Sequence, residues 1–158
     1  MRGAAPVLAL VVLGLTGCGG PGGRYGGESA SDTTLHTVVS DLGTIVVDAR
    51  GRSVYVFDDD TPGSGESACS GRCLAQWPPV EAGHGKPTAD GVDATLGTLE
   101  RDDGTLQVLL NGSPLYLFAG DGEPGDVTGQ AVEDVWWVVG PDGKKITEAP
   151  DTGMGFSY

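Results

Sequence analysis

The chain has 158 residues and a mass of 16.1 kDa, room for one ordinary domain or two very small ones and too little for a large multidomain enzyme. Nine Lys and Arg stand against 22 Asp and Glu, and a net charge of −13 leaves no basic patch for nucleic acid or for anionic lipid head groups. Gly (28) and Pro (10) are abundant and aromatics are only 6%, yet 39% hydrophobic residues suffice for one packed core.

In chain order, Met1-Arg2-Gly3 is a short positive start, and Ala4 to Leu15 is apolar throughout. A membrane-spanning helix needs about 20 such residues. The shorter run suits the hydrophobic part of a signal peptide. It ends in Leu15-Thr16-Gly17-Cys18, where small residues let the chain enter a peptidase cleft and a thiol stands ready for a diacylglyceryl group. The segment resembles the lipobox of bacterial lipoproteins. Residues 1–17 are therefore expected to be a lipoprotein signal peptide and Cys18 the lipidation site. The alternative is an ordinary secretory signal with an incidental Cys18, but no better-placed Ala-x-Ala site is present. Two or three acyl chains, at ~0.8 kcal/mol per buried methylene, hold a protein firmly at a membrane. Residues 19 to 33, GGPGGRYGGESASDT, have the composition of a flexible coil, so 18–33 is expected to be a lipidated tether.

The body, 34–148, repeats at an offset of 61. Gly43-Thr44-Ile45-Val46-Val47 aligns with Gly104-Thr105-Leu106-Gln107-Val108, and Val54-Tyr55-Val56-Phe57 with Leu115-Tyr116-Leu117-Phe118. Pro62-Gly63 then meets Pro124-Gly125, and Trp77 meets Trp136 or Trp137. Repeat one is placed at about 43–80 and repeat two at about 104–146, with 149–158 a tail. Strands are expected at 34–39, 44–48, 53–58, 96–100, 106–110, 115–118, 135–139 and 144–146, the Asn111-Gly112 turn being a strong hairpin signal. No segment keeps a 3.6-residue apolar period, so the fold is expected to be all-β. Two tandem, pseudo-equivalent β-hairpin repeats form one small domain. A short helix is expected at Ser67–Gln76, placing Cys69 and Cys73 on one face at i, i+4.

Candidate chemistry follows from these placements. With Cys18 assigned to lipid, Cys69 and Cys73 remain as a pair, which an oxidising compartment joins into a disulfide. The rival use of the pair is a metal or redox site completed by His84; His36 falls on the first strand. Asp58, Asp60 and Asp121 are weak metal candidates on Gly-rich loops, but neither acidic stretch has EF-hand spacing. Asp60 and Asp121 are expected instead to accept backbone N–H bonds and fix the turn after each strand. Tyr55 with Phe57, and Tyr116 with Phe118, share one face of their strands and are expected in the core. Trp136 and Trp137 must point to opposite faces; with Trp77 they are the residues that could face a sugar or peptide. Two histidines, neither in a recognisable nucleophile–base setting, give catalysis little support, and no Gly-rich loop lies between a strand and a helix.

Tyr55-x-Phe57-x-x-Asp60 and Tyr116-x-Phe118-x-x-Asp121 both follow a Tyr-x-(Phe/Trp/Tyr)-x-x-Asp pattern. With Pro62-Gly63, Cys69-x3-Cys73, Trp77-Pro78-Pro79 and Gly140-Pro141-Asp142-Gly143, the chain resembles bacterial lipoproteins carrying a "secreted repeat of unknown function", over roughly residues 43 to 145. The resemblance implies an exported two-repeat β domain and supplies no activity. The expectation is a lipid-anchored extracytoplasmic lipoprotein, an envelope binding or structural module rather than an enzyme. No cofactor is expected, and its partners would be the membrane, through lipid, and an envelope protein or glycan. The alternative is a metal-binding or redox protein using the cysteine pair or the acidic loops.

Overall fold

A computed structural model describes residues 34–83 and 85–148. The expected signal peptide and tether (1–33, with Cys18), the loop residue His84 and the tail (149–158) lie outside the described residues.

A β-branched run in the first half and a leucine-rich run in the second, each closed by a short turn, give each half a hairpin. β1 (Leu35–Ser40) pairs antiparallel with β2 (Gly43–Asp48), from Leu35 opposite Asp48 to Ser40 opposite Gly43. β3 (Tyr55–Phe57) follows, then α1 (Arg72–Gln76). In the second half β4 (Leu96–Glu100) pairs with β5 (Leu106–Leu110), which turns through Asn111 (φ 50) and Gly112 (φ 83) into β6 (Ser113–Pro114). A 3-10 turn at Val132–Asp134 precedes β7 (Trp136–Val138). The fold is all-β, in two repeats, with one short helix beside the cysteine pair among the described residues.

The repeats are interlocked by exchange of their closing segments. β3 of repeat one pairs with β7 of repeat two, Tyr55 opposite Val138 and Phe57 opposite Trp136. In the reciprocal place, Leu117 N–H donates to Pro78 O and Val80 N–H to Leu115 O. Val46 of β2 donates to Val139 O at 2.8 Å, and Val108 of β5 donates to Val80 O at 2.8 Å. Tyr55 and Tyr116 exchange both backbone hydrogen bonds, at 2.8 and 2.9 Å, so a pseudo-two-fold axis passes between them. The Pro-Gly turns cross over as well: Gly125 N–H donates to Gly51 O and Gly63 N–H to Gly112 O.

Alternation along β3 splits the core in two. Val54 joins an aliphatic layer with Leu35, Val46, Val80, Val108 and Leu115, against which Val56 packs. Tyr55 faces the other way into an aromatic layer with Trp77, Tyr116 and Trp136, against which Phe57 and Phe118 pack. Both tyrosines are fully buried. Each such side chain contributes roughly 1.5–3 kcal/mol of hydrophobic stabilisation.

Three local expectations are corrected. The helix spans only Arg72–Gln76, because the Gly- and Ser-rich approach turns through Gly71 at φ 57. Cys69 therefore precedes the helix, and the disulfide to Cys73 (Cα–Cα 5.3 Å) bridges that approach rather than one helical face. The repeat alignment shifts by one in the hairpin strands: the shared bonding pattern matches Val46 with Val108 and hence Ile45 with Gln107. The connection from Val108 to Leu115 is one residue shorter than that from Val46 to Val54. Finally, the regular part of the 53–58 strand is confined to Tyr55–Phe57, and Tyr116 makes single bridges to Tyr55 and Pro79 instead of a long ladder.

Candidate functional site

The signature residues converge at the pseudo-two-fold axis, and each pairs with the other repeat. Tyr55 O–H donates to Asp121 Oδ2 at 2.7 Å, and Tyr116 O–H donates to Asp60 Oδ2 at 2.7 Å. Each carboxylate's second oxygen accepts a backbone N–H from its own repeat's loop: Asp60 Oδ1 from Ala68 at 2.6 Å, Asp121 Oδ1 from Thr128 at 3.0 Å. The two aspartates do accept backbone N–H groups, as the sequence led us to expect. Those donors lie seven or eight residues on, rather than in the turn itself. The phenol from the opposite repeat is the partner that sequence reasoning missed.

Around these pairs the rings form a continuous stack. Phe57 lies on Trp136 (centroids 4.2 Å apart, planes 9° apart), Trp136 on Trp77 (3.8 Å, 3°), and Trp77 on Phe118 (4.5 Å, 37°). Tyr55 meets Trp77 edge-on and Tyr116 meets Trp136 edge-on, so the arrangement obeys the same pseudo-symmetry. Offset and edge-to-face contacts of this kind add about 0.5–1.5 kcal/mol each beyond area burial. Trp77 and Trp136 are 3% and 2% exposed. This corrects the expectation that they face a ligand, since both indole faces are covered by other rings.

Trp137 does point to the opposite face and is half-buried. Its indole N–H donates to Asp58 Oδ2 at 2.8 Å, and the Lys145 ammonium sits 5.3 Å from its ring centroid. Lys145 also donates to both Asp58 oxygens, at 2.7 and 2.8 Å. Asp58, Asp60 and Asp121 are thus each engaged by donors of this chain. Among the described residues no three His, Cys, Asp or Glu side chains cluster as a metal site.

Burial raises both phenols far above the ordinary tyrosine value; hydrogen bonding to Asp121 adds to this at Tyr55, and Ser67 opposes it at Tyr116. They remain neutral donors at physiological pH. Burial also lifts the Asp60 carboxyl above its usual range, against the Ala68 N–H, the Tyr116 hydroxyl and the Arg101 guanidinium. Arg101 is fixed by the fully buried Gln107 and donates to Cys69 O at 2.9 Å, tying the disulfide segment to repeat two. Gln107 Nε2 in turn donates to Leu115 O at 2.8 Å. A Gln on a strand otherwise reading Leu, Val, Leu, Leu was the available signal for this polar link.

Two open grooves flank the core. One, of about 560 Å³, lies between the Arg50–Arg52 turn and residues 78–83. The other, of about 270 Å³, is bordered by Ser67, Ser70, Leu99 and Arg101. Because the Tyr116 O–H donates to Asp60, the Ser67 hydroxyl donates to Tyr116 Oη at 2.7 Å, with Cys69 O 3.2 Å away as its alternative acceptor.

A family model described as a secreted repeat of unknown function matches residues 36–81 and again 97–140, so each match takes in a hairpin and the segment that it exchanges. No curated protein and no solved structure matches the chain.

Proposed function

The chain belongs to the family described as a secreted repeat of unknown function, and on that premise we propose that it is a lipid-anchored extracytoplasmic module that binds or braces an envelope component and performs no catalysis. The observation that carries this reading is that the signature Tyr, Phe and Asp side chains, with Trp77 and Trp136, are consumed in joining the two repeats. What the repeats share builds a rigid body, and recognition falls to the surface around it. Burial keeps Tyr55 and Tyr116 protonated, which suits them to hold carboxylates rather than to act as bases. The Cys69–Cys73 bridge is the chemistry of an oxidising compartment. The Leu15-Thr16-Gly17-Cys18 start supplies the anchor.

The experiment is intact mass and membrane fractionation of the cellular product. The expected species begins at Cys18 and carries acyl chains, and Cys18→Ser leaves the membrane fraction. A soluble wild-type chain with no fatty-acid increment overturns the anchor. Crosslinking of the mature chain in native envelope then identifies the protein or glycan held.

A further inference from the structure

Pseudo-symmetry separates what the fold requires from what it does not, because a feature present in only one repeat is dispensable for building the repeat. The two outer strands, β1 and β4, are such a comparison. Thr37 faces Val46 in the first hairpin and Thr98 faces Val108 in the second, and Val46 and Val108 occupy matching positions. Val39 of β1 therefore corresponds to Glu100 of β4. The second strand carries there a charge that blunts an open edge; the first carries a valine that is 85% exposed. β1, LHTVVS, carries no Lys, Arg, Asp or Glu at all.

The edge itself is partly open. Leu35 turns its N–H and C=O outward, bonding Thr88 O and the Asp90 N–H. Residues alternate in an antiparallel pair, so Thr37 and Val39 turn theirs outward too. Among the described residues those four groups have no backbone partner. The open stretch is short: Gly91 lies against the Thr37 side chain, where a Cβ would stand 2.6 Å from Thr37 Oγ1. Only the outward backbone groups of Thr37 and Val39 are free, between the carboxylates of Asp41 in the hairpin turn and Asp90 beside Leu35, in a chain of net charge −13.

We propose that the open edge of β1 accepts an extended peptide segment of a partner protein as an added strand, with β-branched side chains beside Val39 and Lys or Arg at its ends. This rests on reading the domain as a binding module. Backbone bonds to Thr37 and Val39 supply the pairing, and the flanking carboxylates select for positive ends and repel a second copy of this acidic chain.

The probe is a fluorescein-labelled hexapeptide, Lys-Val-Thr-Val-Thr-Lys, titrated against the full chain by anisotropy. Saturable binding is expected, weakened roughly ten-fold or more by Val39→Glu and by exchanging the peptide's lysines for glutamates. Amide exchange should slow at Thr37 and Val39 and stay unchanged at Thr98 and Glu100. Val39→Glu installs the residue that β4 already carries, so its melting temperature should match wild type and report on binding alone. Absent binding, equal binding by Val39→Glu, or protection on β4 overturns the proposal. So does concentration-dependent dimerisation abolished by Val39→Glu, which would place a second copy on the edge. An envelope protein crosslinked equally by wild type and Val39→Glu overturns the edge and leaves the module reading standing. Peptide binding without any envelope partner overturns the module reading and leaves the edge.

Discussion

The two Tyr–Asp pairs look alike but differ in burial. Asp60 is 8% exposed and feels the positive charge of Arg101, whereas Asp121 is half-buried at the start of its loop. Removing a donor from a buried carboxylate costs more than removing one that water can replace. Tyr116→Phe, which strips the buried Asp60, and Tyr55→Phe, which strips Asp121 and also the buried Gly129 N–H that donates to Tyr55 Oη at 3.2 Å, are each expected to lower stability by about 2–3 kcal/mol in urea unfolding. A loss well under about 1 kcal/mol in either variant would contradict this bonding. Asp60 gives a pH signature of its own. Its folded-state pKa lies above the unfolded value, so its titration favours the fold fully below the unfolded pKa. That contribution is lost as pH rises through the folded value. The stability of wild type minus that of Asp60→Asn should accordingly fall as pH rises across this window. A rise would reverse the sign assigned to its burial.

At the scale of elements, the turns carry the interlock. Gly112 has φ 83, and a Cβ there would stand 2.9 Å from Gly63 N of the other repeat; Gly43 has φ 89 with nothing within 4 Å. Gly43→Ala meets only the positive-φ penalty, about 1 kcal/mol, while Gly112→Ala adds a backbone collision, for about 2–3 kcal/mol in all. Thermal melts of the two variants distinguish these costs. The disulfide is a lesser contributor. It closes a loop of separation 4, worth about 2 kcal/mol on the chain-entropy argument, and repeat two passes through its 3-10 turn with no such bridge. Reduction should lower the urea-unfolding free energy by that amount and leave a cooperative transition.

Much of this architecture was legible before any coordinates. Alternation in Tyr55-Val56-Phe57 told which residues share a face, Asn111-Gly112 announced its hairpin, and adjacency alone forced Trp136 and Trp137 apart. The exchange was not legible, because periodicity reports a strand's own two faces and says nothing of which neighbour it pairs with. The same blindness hid the donors to Asp60 and Asp121, since a hydrogen bond between residues 56 or 66 positions apart leaves no local pattern. Helix length failed for a different reason: spacing of Cys69 and Cys73 suits a helix, but Gly71 between them breaks it.

For the whole molecule, neither half encloses a core of its own. Tyr55 needs Asp121, Trp77 needs Trp136, and Val46 needs the backbone of Val139. Fragments 34–83 and 84–148 made separately are expected to lack tertiary structure and to regain the native near-ultraviolet dichroism when mixed. A fragment that folds cooperatively as a monomer would contradict the interlock.

The shared Tyr–Asp and Trp–Trp contacts also bear on inheritance. A recombination event that carried off one repeat would deliver a sequence without its complement, viable only if a sister polypeptide supplied the missing half. Each half is thereby the other's selective environment, and drift in one is tolerated only as far as the other can follow.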